Sequence, residues 1–304
     1  MFVHYSSTTM KTVAISGCTG MFGSMVYKVL KNKYKLVLLY RDKQKLTLLD
    51  NAYGEVNKHK TVQFDFQYLY NAYKRKSSTA HTTSALQKLI ASVGNVDSLI
   101  NCAGIIKPRV LESSEVTMFV NSLLPQILST LYREKLIHIT TDCVFDGVTG
   151  APYDERSLKN AIDLYGLSKS IGEPSNHSLV LRTSFIGPEI THFTGLLEWL
   201  KRQEGKTVNG YITHLWNGLT TKQLAIILDR IVGKRNEFPA KGLFHIFSTA
   251  ISKYELLVLC KKKFNMRVKI TPSSPARLDR RLTTVHDLCQ KLNVPSVEKM
   301  LFAL

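Results

Sequence analysis

A chain of 304 residues, 44% hydrophobic and 21% charged, can build an ordinary globular core as one large domain or two smaller ones. No apolar run approaches the ~18 to 20 residues of a membrane span, and polar residues 1–11 argue against a secretory leader and leave Met10 as an alternative start. The formal charge of +18 suits nucleic acid, an anionic membrane or a phosphorylated small molecule, but the basic residues form only short clusters at 28–35, 261–263 and 277–281, without interleaved aromatics.

That dispersal disfavours nucleic acid and leaves solvated surface or an anionic small molecule. The five cysteines (Cys18, Cys102, Cys143, Cys260 and Cys289) are odd in number and scattered, and neither CxxC nor HxxxH spacing occurs. The expectation is a reduced, cytoplasmic setting and no metal site.

Residues 12–16 (TVAIS) read as a strand running directly into Gly17-Cys18-Thr19-Gly20-Met21-Phe22-Gly23, and the following helix has Met25, Val26, Val29 and Leu30 on its apolar face. Strand, glycine turn and helix form the context of a dinucleotide fingerprint, because glycines let the backbone approach a pyrophosphate that the helix N-terminus attracts. The spacing is GxxGxxG, one residue longer at the first gap than the general signature. Gly17, Thr19, Gly20, Met21, Phe22 and Gly23 are the candidate phosphate loop.

A second strand at 36–40 is followed by Arg41, Asp42 and Lys43. An acidic residue there would bind a ribose 2′-hydroxyl and an arginine a 2′-phosphate, so Arg41 and Lys43 favour NADP(H) while Asp42 keeps NAD(H) open. A third strand at 61–64 ends at Asp65 and Phe66, whose carboxylate and ring suit an adenine. Polar residues 71–83 read as a loop entering a helix at 85–93. The fourth strand, 97–101, ends at Asn101 and is followed by Cys102-Ala103-Gly104, small enough for a cofactor ribose to lie against the backbone. In the helix at 115–132 a 3.6-residue apolar stripe is interrupted by Pro125, and Asn121 is the one candidate polar contact within it.

The fifth strand, 136–140, leads to Thr141-Asp142-Cys143, and a sixth, 179–182, into Phe185. Between them Tyr165 and Lys169 stand four residues apart, one turn on a helix, so that an ammonium can stabilise a phenolate and make the tyrosine a general acid or base. Strands alternating with helices predict an α/β fold, a Rossmann-like doubly wound parallel sheet with ligands beyond the carboxyl ends of its strands. The remainder reads as a smaller C-terminal α/β lobe, with a core helix at 195–203, capping boxes at 220–223 and 252–255, a helix stop at Gly233 and a strand at 244–247. We expect residues 1–184, with 217–248 returning to them, to form the dinucleotide-binding domain, and 185–304 the substrate lobe. Arg277, Arg280 and Arg281 form a basic cluster suited to a diphosphate.

In this order GCTGMFG, NCAG, TTDCVFDG, YGLSKSIGE and LRTSFIG, continued by WNGLTTKQLA, GLFHIFS, ISKYELL and ARLDRRL, resemble an extended short-chain dehydrogenase/reductase. More narrowly, the chain resembles the dTDP-4-dehydrorhamnose reductase group of nucleotide-sugar ketoreductases. The resemblance implies a reductase in deoxysugar biosynthesis in which Thr141, Tyr165 and Lys169 are catalytic. Hydride passes from the nicotinamide to the sugar carbonyl, Tyr165 protonates its oxygen, Thr141 bonds that oxygen, and Lys169 serves both the tyrosine and the ribose. It places Lys107, Thr141, Asp142, Cys143, Phe185, Trp216 and Arg280 on the substrate side and implies a nucleotide-diphosphate sugar as partner, with a homodimer left open. Better-known members carry tyrosine at the position of Cys143 and tryptophan at that of Phe185, so an amino- or N-acetyl-substituted hexose stands level with rhamnose. Two other readings stay open: a regulatory subunit like the cofactor-binding relative that partners a methionine adenosyltransferase, and a nucleic-acid binder suggested by charge alone.

Overall fold

The β-rich runs of the first half pair as parallel neighbours: β1 (Thr12–Ser16), β2 (Lys35–Tyr40), β3 (Lys60–Gln63), β4 (Ser98–Asn101), β5 (Leu136–Thr141) and β6 (Leu179–Thr183). The computed structural model describes residues 10–74 and 78–304. Residues 1–9 of the polar N-terminal stretch, and 75–77 of the segment read as a loop, lie outside the described residues. Across the sheet the order is Gly242–His245, β6, β5, β4, β1, β2, β3. The chain reverses direction across the sheet between β1 and β4, whose last residues Ser16 and Asn101 are register partners. In such a sheet that crevice is the ligand-binding edge.

Both faces of the sheet are covered, as the near-continuous apolar strands require. Helix Met21–Leu30 packs Met25, Val26 and Leu30 in one cluster with Leu224, Leu228 and Ile231 of helix Thr221–Gly233. On the other face Leu69, Leu89, Val93, Phe119, Leu124 and Leu128 form a second cluster. The expected loop at 71–83 is replaced among the described residues by helices Phe66–Lys74 and Ser78–Val93. A polar stretch can remain helical when Leu69 on one side and Ala85, Leu89 and Val93 on the other supply a buried stripe. The expected interruption at Pro125 takes a specific form: residues Phe119–Leu123 widen into a π turn and a new α segment, Leu124–Tyr132, starts with the proline in its first turn.

The second half contributes one strand to the main sheet, Gly242–His245 beside β6. Its other strands are short. Thr207–Tyr211 pairs with Lys269–Ser273, and His214–Trp216 lies between Ile251–Ser252 and Leu278–Asp279. Ser252 and Glu255 form a complete capping box, whereas Thr220 caps Gln223 without the return bond. Helix Thr221–Gly233 ends at the glycine, as expected. Among the described residues no helix is long and apolar enough to cross a membrane.

Candidate active site

Two cavities open at the carboxyl edge of the sheet. The first, about 280 Å³, lies over the crevice between β1 and β4. Its floor is the glycine loop: Gly17, Thr19, Gly20, Met21 and Phe22 all line it. Gly17 has φ +69° and an added Cβ would stand 2.9 Å from the backbone of Ala103, so only glycine fits where the first loop meets the one after β4. Cys102, Ala103 and Gly104 form the facing wall, and Asp65 and Phe66 close the far end beside Arg41. Gly23 and Asn101 do not line this cavity; an added Cβ on Gly23 would lie 2.2 Å from the Gly17 carbonyl oxygen. Asn101 is fully buried, accepting from the Ser16 hydroxyl at 2.7 Å and from the Ala103 amide at 3.2 Å.

The residues after β2 divide by role. Asp42 caps helix Lys43–Tyr53 by accepting from the Gln44 amide at 2.8 Å, which commits one carboxylate oxygen to the backbone. Lys43 is exposed and outside the cavity, but Lys45, Arg109 and His192 line it with Arg41. Lys45 Nζ stands 3.0 Å from His192 Nε2. Burial, then the neighbouring cations, hold the His192 imidazole below its ordinary range, so the lysine donates to a neutral ring. His192 comes from the loop after β6, which also latches onto the glycine loop through Thr191 Oγ1 donating to the Thr19 carbonyl at 3.0 Å.

The second cavity, about 180 Å³, is lined by Asp142, Cys143, Phe185, Trp216 and Arg280 among others. Phe185 borders both cavities and packs on Phe22 with ring centroids 5.1 Å apart, so it forms the partition between them. Trp216 is fixed by donating from Nε1 to Ser184 Oγ at 2.8 Å. Arg280 donates to the carbonyls of Phe145 and Asp146, both at 3.0 Å. Its neighbours Arg277 and Arg281 pair with Asp279 at 3.0 and 2.8 Å, so the basic cluster reduces to one arginine that faces the cavity. Lys107 is not part of this wall; it is largely exposed and pairs with Asp163 at 2.7 Å.

Tyr165 stands in helix Leu164–Ile171, one turn from Lys169. An added Cβ on Gly166 would lie 2.3 Å from the Cys143 carbonyl, and this close approach brings the helix against the Thr141-Asp142-Cys143 turn. Thr141 is buried; its hydroxyl donates to Asp142 Oδ1 and accepts from the Cys143 amide, both at 3.1 Å. Burial and then the Cys143 thiol push the Tyr165 phenol well above its ordinary range, and Thr141 offsets only part of this. The expectation that Lys169 holds this phenol low is not met in the free chain. Lys169 is itself desolvated, with its ammonium pulled down to about 8, and its Nζ would lie 2.6 Å from a Cβ added to Gly104, on the side of the first cavity. Asn121, fully buried in the π turn, bonds both backbone groups of Ile105 at 2.8 and 2.9 Å and Ser168 Oγ at 3.1 Å. Its amide ties the loop after β4 to the Tyr165 helix. Burial raises the Cys143 thiol to about 12, which makes it an inert, small wall residue.

A family model described as the RmlD substrate binding domain matches residues 10–282. The chain belongs to this family. Over 101 residues, 30% of the chain and 34% of the other protein, it is 37% identical to a probable low-salt glycan biosynthesis reductase of Haloferax volcanii. Over 80 residues, 25% of the chain and 28% of the other protein, it is 32% identical to a dTDP-4-keto-6-deoxy-D-glucose reductase of Streptomyces niveus. The chain thus spans about a third of the length of these curated relatives. Solved structures share the fold at low identity. A dTDP-4-dehydrorhamnose reductase of Bacillus anthracis in complex with NADP superposes with TM-score 0.68 at 18% identity, covering 96% of this chain and 97% of that one. The Bordetella bronchiseptica enzyme WbmG in complex with NAD and UDP gives 0.73 at 12%, covering 98% and 95%.

For an RmlD-family chain the glycine loop and the Tyr165-Lys169 helix were readable from sequence, but Lys45, Arg109, His192, His214, Ser184 and Lys253 were not singled out. Lys45 carried a usable signal, being a basic residue in the first turn of helix Lys43–Tyr53, close after Arg41 in sequence. His192 and Lys253 arrive from distant segments and had none.

Proposed function

We propose that this chain is an NADP(H)-preferring reductase of a nucleotide-linked 4-keto-6-deoxyhexose, similar to dTDP-4-dehydrorhamnose reductase. The observation that carries this reading is a pair of cavities that share Phe185 as a wall, the second lined by Asp142 and Cys143 of the turn against which the Tyr165 helix packs, and the first by Gly104, beside which Lys169 Nζ stands. One cavity suits a dinucleotide and the other a sugar. The bound cofactor would supply the hydride. Thr141 and Tyr165 hold the carbonyl oxygen, the phenol gives it a proton, and Lys169 beside Gly104 orients the ribose. The reading divides the chain into a dinucleotide-binding part, residues 1–184 with 217–248, and a substrate part made of the rest of 185–304. The names of the relatives, a probable glycan biosynthesis reductase and a dTDP-4-keto-6-deoxy-D-glucose reductase, support the substrate class.

The cofactor preference rests on charge. Arg41, Lys45 and Arg109 converge on one end of the first cavity, while Asp42 is engaged as a helix cap. Arg41→Ala then weakens NADPH by roughly 10- to 100-fold, the value of a charge-assisted bond of about 1.5–3 kcal/mol, and leaves NADH nearly unchanged. Oxidation of both cofactors by parent and variant, with a panel of nucleotide-linked 4-keto sugars, tests both claims. Equal losses for the two cofactors reject the 2′-phosphate contact, and a parent that oxidises neither cofactor with any member of the panel rejects the reductase.

Lys169 sets a pH dependence. In the free chain it titrates at about 8, below the ordinary lysine value, because burial penalises the ammonium. Hydrogen bonds from that ammonium to ribose hydroxyls raise its pKa in the complex, so above about pH 8 binding takes up a proton. Cofactor affinity is therefore fully developed below about pH 8 and falls as pH rises through it. Lys169→Met removes the slope as well as some affinity. Calorimetric titration in two buffers of different ionisation enthalpy reads the proton directly; no uptake at pH 8.5 contradicts the assignment.

A further inference from the structure

Lys253 is the first residue of helix Lys253–Lys263 and lines the second cavity opposite Asp142 and Cys143. A cation is poorly placed there. The helix N-terminus carries a partial positive charge, which repels an ammonium. The nearest carboxylate in sequence, Glu255, is committed to the capping box, accepting from the Ser252 amide at 2.6 Å and its hydroxyl at 2.9 Å. Among the described residues Lys253 makes neither an ion pair nor a side-chain hydrogen bond.

The rest of the cavity wall does not compensate this charge. Arg280 faces the same space and its two contacts are to neutral carbonyls, which hold the guanidinium in place without cancelling it. Of the residues on this wall only Asp142 bears a carboxylate, and burial raises its pKa. His214, on the same wall, is held below its ordinary range chiefly by burial, with a backbone hydrogen bond at Ala276 opposing and these two cations adding to the shift. Burial also lowers the pKa of Lys253, with Asp142 the leading opposing influence. Two cations thus face a cavity of about 180 Å³ with one carboxylate between them. Such an arrangement is repaid by an anion from outside.

We propose that Lys253 is a substrate-specificity residue that, together with Arg280, grips an oxyanion of the substrate in the second cavity. The inference rests on the nucleotide-sugar reading above and deepens it. The oxyanion is a phosphate of the nucleoside diphosphate, whose oxygens an ammonium and a guanidinium bind; a 6-deoxyhexose carries no carboxylate of its own. Held between helix Lys253–Lys263 and the turn after β5, the anion anchors the substrate within reach of Thr141 and Tyr165 without touching the cofactor cavity.

The test titrates the NADPH-loaded protein with UDP, dTDP, UDP-glucose and UDP-glucuronic acid, as parent, Lys253→Met and Lys253→Arg. For the diphosphate, Lys253→Met weakens the nucleoside diphosphate that the parent prefers by about 10- to 100-fold. Lys253→Arg stays within about threefold, NADPH affinity stays at the parent value, and the unfolding midpoint of Lys253→Met does not fall below that of the parent. A loss confined to UDP-glucuronic acid overturns the diphosphate grip, because only the sugar carboxylate distinguishes that ligand from UDP-glucose. A Lys253→Met protein that binds all four ligands as the parent does overturns the inference and leaves the reductase reading standing. A parent that binds NADPH but no nucleoside diphosphate or nucleotide sugar overturns both.

Discussion

A Tyr165→Phe protein binds NADPH as tightly as the parent and reduces its keto sugar about 100-fold more slowly or worse. The substitution removes one hydroxyl and keeps the ring, so the contact of the helix with the Cys143 turn and the loop tie through Asn121 and Ser168 persist. A positioned proton donor typically contributes ~10²- to 10⁴-fold, and phenylalanine has no proton to give. The raised phenol pKa has a direct consequence for direction. At neutral pH Tyr165 keeps its proton, which is the form a carbonyl reduction consumes, and the rate stays flat from pH 6 to 8 as far as this group is concerned. Thr141 must turn its hydroxyl away from Asp142 to donate to the substrate, or accept from Tyr165 while doing so. Stopped-flow oxidation of bound NADPH measures the rate and fluorescence titration the affinity; turnover at the parent rate removes Tyr165 from the mechanism.

The second large effect is on stability. Arg182, 1% exposed, forms a two-pronged pair with Glu173 at 3.0 and 2.7 Å, donates to His245 Nε2 at 2.7 Å and stacks over Phe145 with its centre 5.0 Å from the ring. His245 in turn donates from Nδ1 to the Thr283 carbonyl at 2.8 Å, which fixes the neutral tautomer. This network joins β6, the adjoining strand Gly242–His245 and the segment after Asp279. Arg182→Met leaves the Glu173 carboxylate buried with only Lys159 at 3.4 Å, a cost of about 3–5 kcal/mol. For a chain of this size that lowers the unfolding midpoint by roughly 5–8 °C. The double variant Arg182→Met with Glu173→Met recovers much of the loss, because the stranded charge goes too. A single variant that melts with the parent contradicts this account.

The alternation of strand and helix, the glycine loop and the one-turn spacing of Tyr165 and Lys169 were legible because each is a local pattern with a fixed period. Chemistry that depends on burial was not. The sequence reading took Lys169 as the group that lowers the Tyr165 pKa, but in the free chain desolvation dominates both and moves the two groups in opposite directions. Arg277 and Arg281 looked like phosphate ligands until Asp279, between them in sequence, proved to hold both. That pairing was visible in ARLDRRL as an acid amid arginines. Asp42 had the position of a ribose ligand and also the signature of an N-cap, and the helix uses it as the cap. The two-residue strands of the second half are too short for any periodicity to show. Lys253 was read only as the second letter of a capping box, since nothing local tells which cavity the start of a helix will face.

On the reductase reading, hydride moves from a nicotinamide in the first cavity to a sugar carbonyl in the second. The most direct test of this is a single turnover of parent protein carrying NADPH deuterated at the transferable C4 position, with the nucleotide-linked 4-keto-6-deoxyhexose that the panel selects. The account predicts one deuterium at the former carbonyl carbon of the sugar and, with Tyr165→Phe, the same label appearing about 100-fold more slowly. A protein that binds the deuterated cofactor tightly, yet leaves every sugar in the panel unlabelled, contradicts the claim and favours a cofactor-binding regulatory subunit instead.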